Sequence, residues 1–276
     1  MTIASLDDYI VANKYNLIFY KTATRGMSGW NWFGQLFDQA GTPPAGTMSA
    51  GNTANGLVPD GSVTTGYITI PPLAGTGYIS KVTYGNHQYP SNMGLYDKLF
   101  HCGAYTTDND ISLSSQPSFA SRLPNGNYIG TELWVEQTAS ANTTMYCQVW
   151  YNDQDGNAGD TGAITITTPP IGRMTQLALA VGDTGISRIN RVKYWNCTGS
   201  ANFCILRPLW RGTIYDNNTP SQQYSLARIE YMTDDLMRTG MPKIFQTSAL
   251  IGIFRSMRSD VDSMGLPYMN IEIADK

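Results

Sequence analysis

Hydrophobic and polar positions change their period along this chain, and each change marks a different kind of structure. Ser5 to Lys14 predicts a short capped helix, with Ser5 at the N-cap, Asp7 and Asp8 in the first turn, and Leu6, Tyr9 and Ile10 on one face. Tyr15 to Tyr20 reads as extended. Trp30, Phe33, Leu36 and Phe37 fall at helical spacing and predict a helix over 30–40 that stops at Gly41. Leu95, Leu99 and Phe100 predict a second helix within Met93–Cys102. Between these, Thr42 to Gly77 is turn chemistry (PPAG, GNTANG, VPDG, PPLAGTG), of the kind that covers a partner or a neighbouring subunit.

The middle of the chain alternates with period two. Ile129, Leu133 and Val135 point one way, and Glu132, Trp134 and Glu136 the other. Met145–Tyr151, Ala163–Thr167, Gln176–Val181, Ile186–Trp195 and Phe203–Tyr215 add further strands, and Gly182-Asp183-Thr184-Gly185 reads as a hairpin turn. The methionine-rich C-terminal stretch predicts partial helix over Leu226–Met237 and extended chain over Ala249–Met257 and Tyr268–Ile273. Together these predict a mainly β chain. Its architecture is an antiparallel β-sandwich, jelly-roll-like, with short helices and long loops in the N-terminal part. Three parts are expected: a helix- and loop-rich region at 1–119 that contacts partners, a sandwich core at 120–215, and an extension at 216–276 that returns to the core or to a neighbouring subunit.

Composition narrows the function. Charged residues are 14% of the chain, against about 25% in an average soluble protein. The net charge of −3 lacks the basic excess that nucleic-acid binding requires. The acidic start, Met1 to Asp8, is unlike a signal peptide and predicts synthesis in the cytoplasm. The longest apolar patch, Ala249 to Phe254, is too short to span a bilayer. Four cysteines (Cys102, Cys147, Cys197, Cys204) permit two disulfides, but cytoplasmic synthesis favours free thiols.

Candidate chemistry is sparse. Asn152-Asp153-Gln154-Asp155-Gly156-Asn157-Ala158-Gly159-Asp160 fits either a calcium loop, with Asp153, Asp155 and Asp160 as ligands, or a hairpin whose Asp, Asn and Gly supply turn conformations. An EF-hand is excluded, because its glycine and closing glutamate are missing. Glu132 and Glu136, about 13 Å apart along one strand, exceed the roughly 5 to 9.5 Å of paired glycosidase carboxylates. They read as solvated, while a pair drawn from separate strands is invisible to sequence. His87 and His101 read as structural histidines. Tyr146, Trp150, Tyr194 and Trp195 fit a glycan platform or packing in cores and interfaces, and Arg238, Lys243, Arg255 and Arg258 form a mild basic cluster. No catalytic, cofactor-binding or metal-binding residue is assigned, no cofactor is expected, and the chain does not read as an enzyme.

Four stretches carry a resemblance: LDDYIVANKYNLIFYKTATR (6–25), WNWFGQLFDQAGTPPAG (30–46), GNTANGLVPD (51–60) and LYDKLFHCGAY (95–105). They resemble tailed-bacteriophage virion proteins encoded among head and structural genes. The resemblance covers the N-terminal third and transfers no active-site residue. It does not extend to the usual tailed-phage major capsid protein, whose long charged spine helix has no counterpart here. What it implies is a particle component: a capsid decoration or cement protein that stabilises the head by bridging capsomers. Its partners would be the major capsid protein and copies of itself, in a homo-oligomer, a trimer. It would be made in the host cytoplasm and located in the virion, touching neither nucleic acid nor membrane. The segments expected to reach neighbours are Ser5–Tyr20, Thr42–Gly77 and Tyr268–Lys276. The alternatives are a host- or glycan-binding module on the tail or head surface and, behind it, a glycoside-cleaving enzyme.

Overall fold

The computed structural model describes residues 3–25, 32–48, 55–63, 65–86, 91–106, 108–214, 232–256 and 265–276. The chain begins with helix α1 (Leu6–Val11), then β1 (Asn13–Lys21), β2 (Phe33–Gln35), β3 (Gly41–Thr42), β4 (Gly77–Asn86), β5 (Ser91–Thr106) and β6 (Asn109–Ser112). Two 3-10 turns (Ala120–Arg122, Pro124–Gly126) precede β7 (Glu132–Ala139), β8 (Met145–Asp153), β9 (Ala158–Asp160) and β10 (Ile164–Ile166). Then come β11 (Arg173–Leu177), β12 (Ile186–Trp195), β13 (Ser200–Ile214) and β14 (Met232–Asp234). Helix α2 (Leu236–Thr239), β15 (Lys243–Ile244), β16 (Leu250–Ser256) and β17 (Pro267–Asp275) close the order. The fold is mainly β, built from several antiparallel sheets with few helices, as the alternation predicts.

Two compact units share the chain. The first is Met1–Thr47, Asp60–Tyr96 and Leu209–Lys276; the second is Met48–Pro59 and Asp97–Pro208. Strands β5 and β13 each carry the chain from one unit to the other.

In the first unit the sheet order is β14-β4-β17-β1-β3, with β15 also on β4. β1 and β17 zip antiparallel from Asn13↔Asp275 to Tyr20↔Tyr268, and β17 pairs β4 on its other side. Alternation along β1 sends Leu17 and Phe19 into a core with Ile79, Val82, Ile271 and Ile273. Of the segments expected to reach neighbours, Ser5–Tyr20 holds α1 and most of β1, and Tyr268–Lys276 holds most of β17. β17 bonds to β1 on one side and β4 on the other, while β1 bonds along its length to β17 and meets β3 at Tyr20 and Lys21. Part of the loop-rich stretch also packs onto its own chain: Tyr67, Ile68 and Ile70 are buried, and Ile68 bridges to Leu250.

In the second unit β8 and β12 form the centre of a sheet ordered β10-β8-β12-β6, with β9 on β8. The inner faces of β8 and β12 (Met145, Cys147, Val149, Tyr151; Ile189, Val192, Tyr194) share a core with Leu133, Val135, Phe203 and Ile205 from β7 and β13. β7 pairs β11 on one side and β13 on the other.

Four local expectations are corrected. Met93–Cys102 is not a helix but part of β5. This strand is buried almost continuously on both faces, so its apolar run carries no period and Leu95, Leu99 and Phe100 match helical spacing by coincidence. Within 30–40, residues 30–31 lie outside the described residues, Phe33–Gln35 is strand, and buried Leu36 and Phe37 follow in a turn. There Phe37 meets the Tyr67 ring edge-on at 4.7 Å. Within Leu226–Met237, residues 226–231 lie outside the described residues; 232–234 is strand, and helix begins only at Leu236. Gly182–Gly185 does not close a hairpin, because β11 and β12 pair with different strands. Gly185 is needed for close approach instead: a Cβ there would come within 2.1 Å of the Tyr128 carbonyl oxygen.

Candidate interaction surfaces

Helix α1 is capped as predicted, with Ser5 Oγ accepting from the Asp8 amide, yet none of its residues is buried. Two polar contacts hold it to β17 and the residue after it: Tyr9 OH donates to Glu272 Oε1 at 2.9 Å, and Lys276 pairs with Asp8. That ion pair, chiefly through its hydrogen bond, lowers the Asp8 carboxyl to about 2. Leu6, Ile10 and Val11 are left 65, 67 and 69% exposed, and Ile18 and Tyr20 face outward from β1. A helix whose apolar residues contribute nothing to its own core is a surface without a partner inside the molecule.

The second unit presents a different surface. Register places Tyr146 opposite Trp195, Gln148 opposite Lys193 and Trp150 opposite Arg191 on the outward face of β8 and β12. Tyr146 and Trp195 stack at 5.8 Å with planes 19° apart. The Arg191 guanidinium lies 4.4 Å from the Trp150 ring centre, and the Lys193 ammonium 5.1 Å from that of Trp195. Arg191 also forks onto Asp110 at 2.6 and 2.5 Å, and Gln148 donates to Asp160 at 3.0 Å. Of the four aromatics weighed from sequence, three meet here. Tyr194 does not; it is fully buried on the inner face, where burial and then the Cys197 contact raise its phenol.

A cleft of about 460 Å³ opens in the second unit between Gly130–Leu133 and Gln176–Thr184. Glu132 and Asp183, from separate segments, both line it. The Trp134 indole donates to Glu132 at 2.9 Å and Tyr151 OH to Asp183 at 2.6 Å. Burial, then that bond to Asp183, pushes the Tyr151 phenol up to about 12. Among the described residues lining the cleft there is no histidine, cysteine or lysine.

Glu136, expected to be solvated, is buried. Its Oε2 accepts from Lys98 Nζ at 2.7 Å and from Asn202 Nδ2 at 2.8 Å, because β7 is covered on both faces. Asp97 is likewise buried and pairs with Arg122 and, at 3.3 Å, with Arg207. Arg122 further donates to the carbonyls of Pro59 at 2.5 Å and Lys98 at 3.0 Å. His101 sits in β5 and is buried, and neither ring nitrogen has a hydrogen-bond partner among the described residues. Burial, then the Lys98 charge, pushes its imidazole down to about 2. His87 and Arg258 lie outside the described residues.

The loop at 153–157 takes the turn geometry. Asp153 Oδ1 accepts from the amides of Asp155 and Asn157, each at 2.8 Å, and Oδ2 accepts from the Asn157 side chain. Burial opposes ionisation there, but those bonds hold the carboxyl below its usual range. Among the described residues, no three His, Cys, Asp or Glu side chains stand together as a metal site. Arg238 pairs with Asp234 four residues earlier, and Arg255 lies 5.5 Å over Phe33, so these members of the basic cluster serve separate contacts. All four cysteines are free and buried, and burial raises the thiols of Cys102 and Cys147 to about 12.

No protein-family model matches the chain, and no curated protein matches it. Among solved structures, the infectious bursal disease virus Gt strain is 7% identical at a TM-score of 0.20, covering 96% of this chain and 80% of that one. The T13 particle of the same virus is 8% identical at 0.22 (96% and 78%), and its VP2 subviral particle 8% at 0.19 (96% and 81%). Likeness at that level carries no argument about fold or function.

Proposed function

We propose that this chain is a structural component of a bacteriophage virion, a capsid decoration or cement protein that bridges capsomers and makes or breaks no bond. The observation that carries this reading is α1, which buries nothing and holds Leu6, Ile10 and Val11 at 65–69% exposure, with Ile18 and Tyr20 of β1 also exposed. Burying such side chains against a neighbour is worth about 1.5–3 kcal/mol each. Weak overall charge lowers the desolvation cost of wide contacts, and the resemblance of residues 6–105 to phage virion proteins supports the same role. The partners are the major capsid protein and copies of this chain in a trimer. Contact is made by outward side chains of α1 and β1 on an already formed sheet, not by strands that order on binding.

The test is sedimentation of the full chain, alone and with shells of the major capsid protein. The wild type is expected to self-associate and to pellet with shells. Leu6→Ser/Ile10→Ser/Val11→Ser is expected to stay monomeric and in the supernatant, with unchanged circular dichroism and melting. A monomer that ignores shells, or a triple variant that behaves as wild type, overturns the proposal.

A further inference from the structure

Beyond the assembly role, we infer that the outward face of β8 and β12 is a binding surface for a neutral saccharide chain, with Tyr146, Trp150 and Trp195 as its ring contacts and Gln148, Arg191 and Asp110 as its hydrogen-bonding groups. The inner residues of these two strands build the core of the unit, and the three rings stand half-buried on the opposite face, Tyr146 against Trp195, Trp150 against Arg191 and Trp195 against Lys193. A sheet face that only needs solvation is served by Thr, Ser or Lys. Placing two indoles and a phenol there gives large, rigid area with polar edges.

The spacing separates the aromatic stations. Tyr146 with Trp195 marks one end and Trp150 the other, four residues or about 13 Å along β8. Between them stand Gln148 and Lys193, opposite one another in register. The face therefore alternates ring, polar row, ring. Sugar units have the matching character, with C–H faces that pack on aromatic rings and a rim of hydroxyls that both donate and accept. Planar amide, guanidinium and carboxylate groups suit adjacent hydroxyls, because each offers two points in one plane.

Charge decides against other occupants. Arg191 is matched by Asp110 through two hydrogen bonds, Lys193 faces Asp110 in register, and Asp160 sits across from Trp150. With exposed Arg188 opposite Asn152 on the same face, three cations stand against two carboxylates, a single net charge that gives a polyanion little field to follow. A protein partner would favour a continuous desolvated apolar centre, whereas here the polar row interrupts it.

The experiment applies the full-length chain to an array of immobilised neutral hexose and N-acetylhexosamine oligomers, with sialylated and sulfated saccharides alongside. Saturable binding is expected on neutral members. It should weaken about tenfold or more in Trp150→Ala and in Trp195→Ala, and far less in Trp195→Phe, which keeps a ring. Circular dichroism and melting report whether each variant is folded, and the Phe variant keeps the test valid if an Ala variant is not. Binding to no neutral saccharide, binding to sulfated members alone, or Trp variants that bind like wild type overturns the inference. So does a result in which the same substitutions instead weaken self-association, which assigns the face to protein contact.

Discussion

Lys98 and Glu136 form an ion pair sealed in the second unit, 3 and 1% exposed, and removing one partner strands the other charge. Glu136→Leu should therefore cost about 3–5 kcal/mol in urea unfolding. Lys98→Met/Glu136→Leu should cost less than the two single changes together, because neither charge is then left alone. His101 makes a pH prediction. Its imidazole ordinarily titrates at 6.5 but is held neutral in the folded chain, so only the unfolded chain takes up a proton as acid is added. Stability present above pH 6.5 is then lost as the pH falls below it, by about 1.4 kcal/mol per pH unit from this residue. Unfolding measured between about pH 7 and pH 5 should show that slope, and His101→Gln should flatten it. These burials were hidden in the sequence. Glu136 stands in an apparent period-two strand, and nothing local says that its polar face is covered as completely as its apolar one.

At the scale of elements, legibility tracks how each element is solvated. β8, buried on one face only, alternates cleanly, as do β1 and most of β17. β12 does so only past its two bulges, and β16, buried throughout Leu250–Phe254, is legible as extended from its short apolar run. The apolar run of β5 reads as helix because cover on both faces erases the period. The turn before β12 is legible but the pairing it leads to is not, since which strand pairs with which depends on contacts far apart in sequence. Of the candidate surfaces, the aromatic residues are visible by type, yet only the register Trp195↔Tyr146 and Arg191↔Trp150 separates the three outward, half-buried rings from fully buried Tyr194. The 153–157 loop supports a prediction here: Asp153→Ala removes three hydrogen bonds to its carboxylate and should cost about 1–3 kcal/mol. Calcium should leave the melting temperature of the wild type unchanged, since a ligand stabilises only by binding the folded form.

For the whole molecule, the assembly proposed above would rest on weak charge and exposed apolar side chains, and such an association is one that ionic strength does not dissolve. Screening at 1 M salt shortens the reach of charges to about 3 Å but leaves apolar burial intact. Sedimentation of the assembled chain should thus be the same at low and high salt. Thiol titration gives a second global check. A thiol-specific disulfide reagent should find no reactive cysteine in the native protein and four after denaturation, because all four thiols are buried and those of Cys102 and Cys147 are shifted to about 12.

The pairing of β17 between β1 and β4 has a consequence for how the protein is born. Every residue of the second unit lies upstream of Leu209, so that unit can condense while translation continues. The first unit cannot: β17, at the heart of its sheet, is made after both β1 and β4, and until Pro267–Asp275 leaves the ribosome the edges of those strands that face it stay open. Nascent chains arrested before that point should display a finished second unit and an unclosed first one.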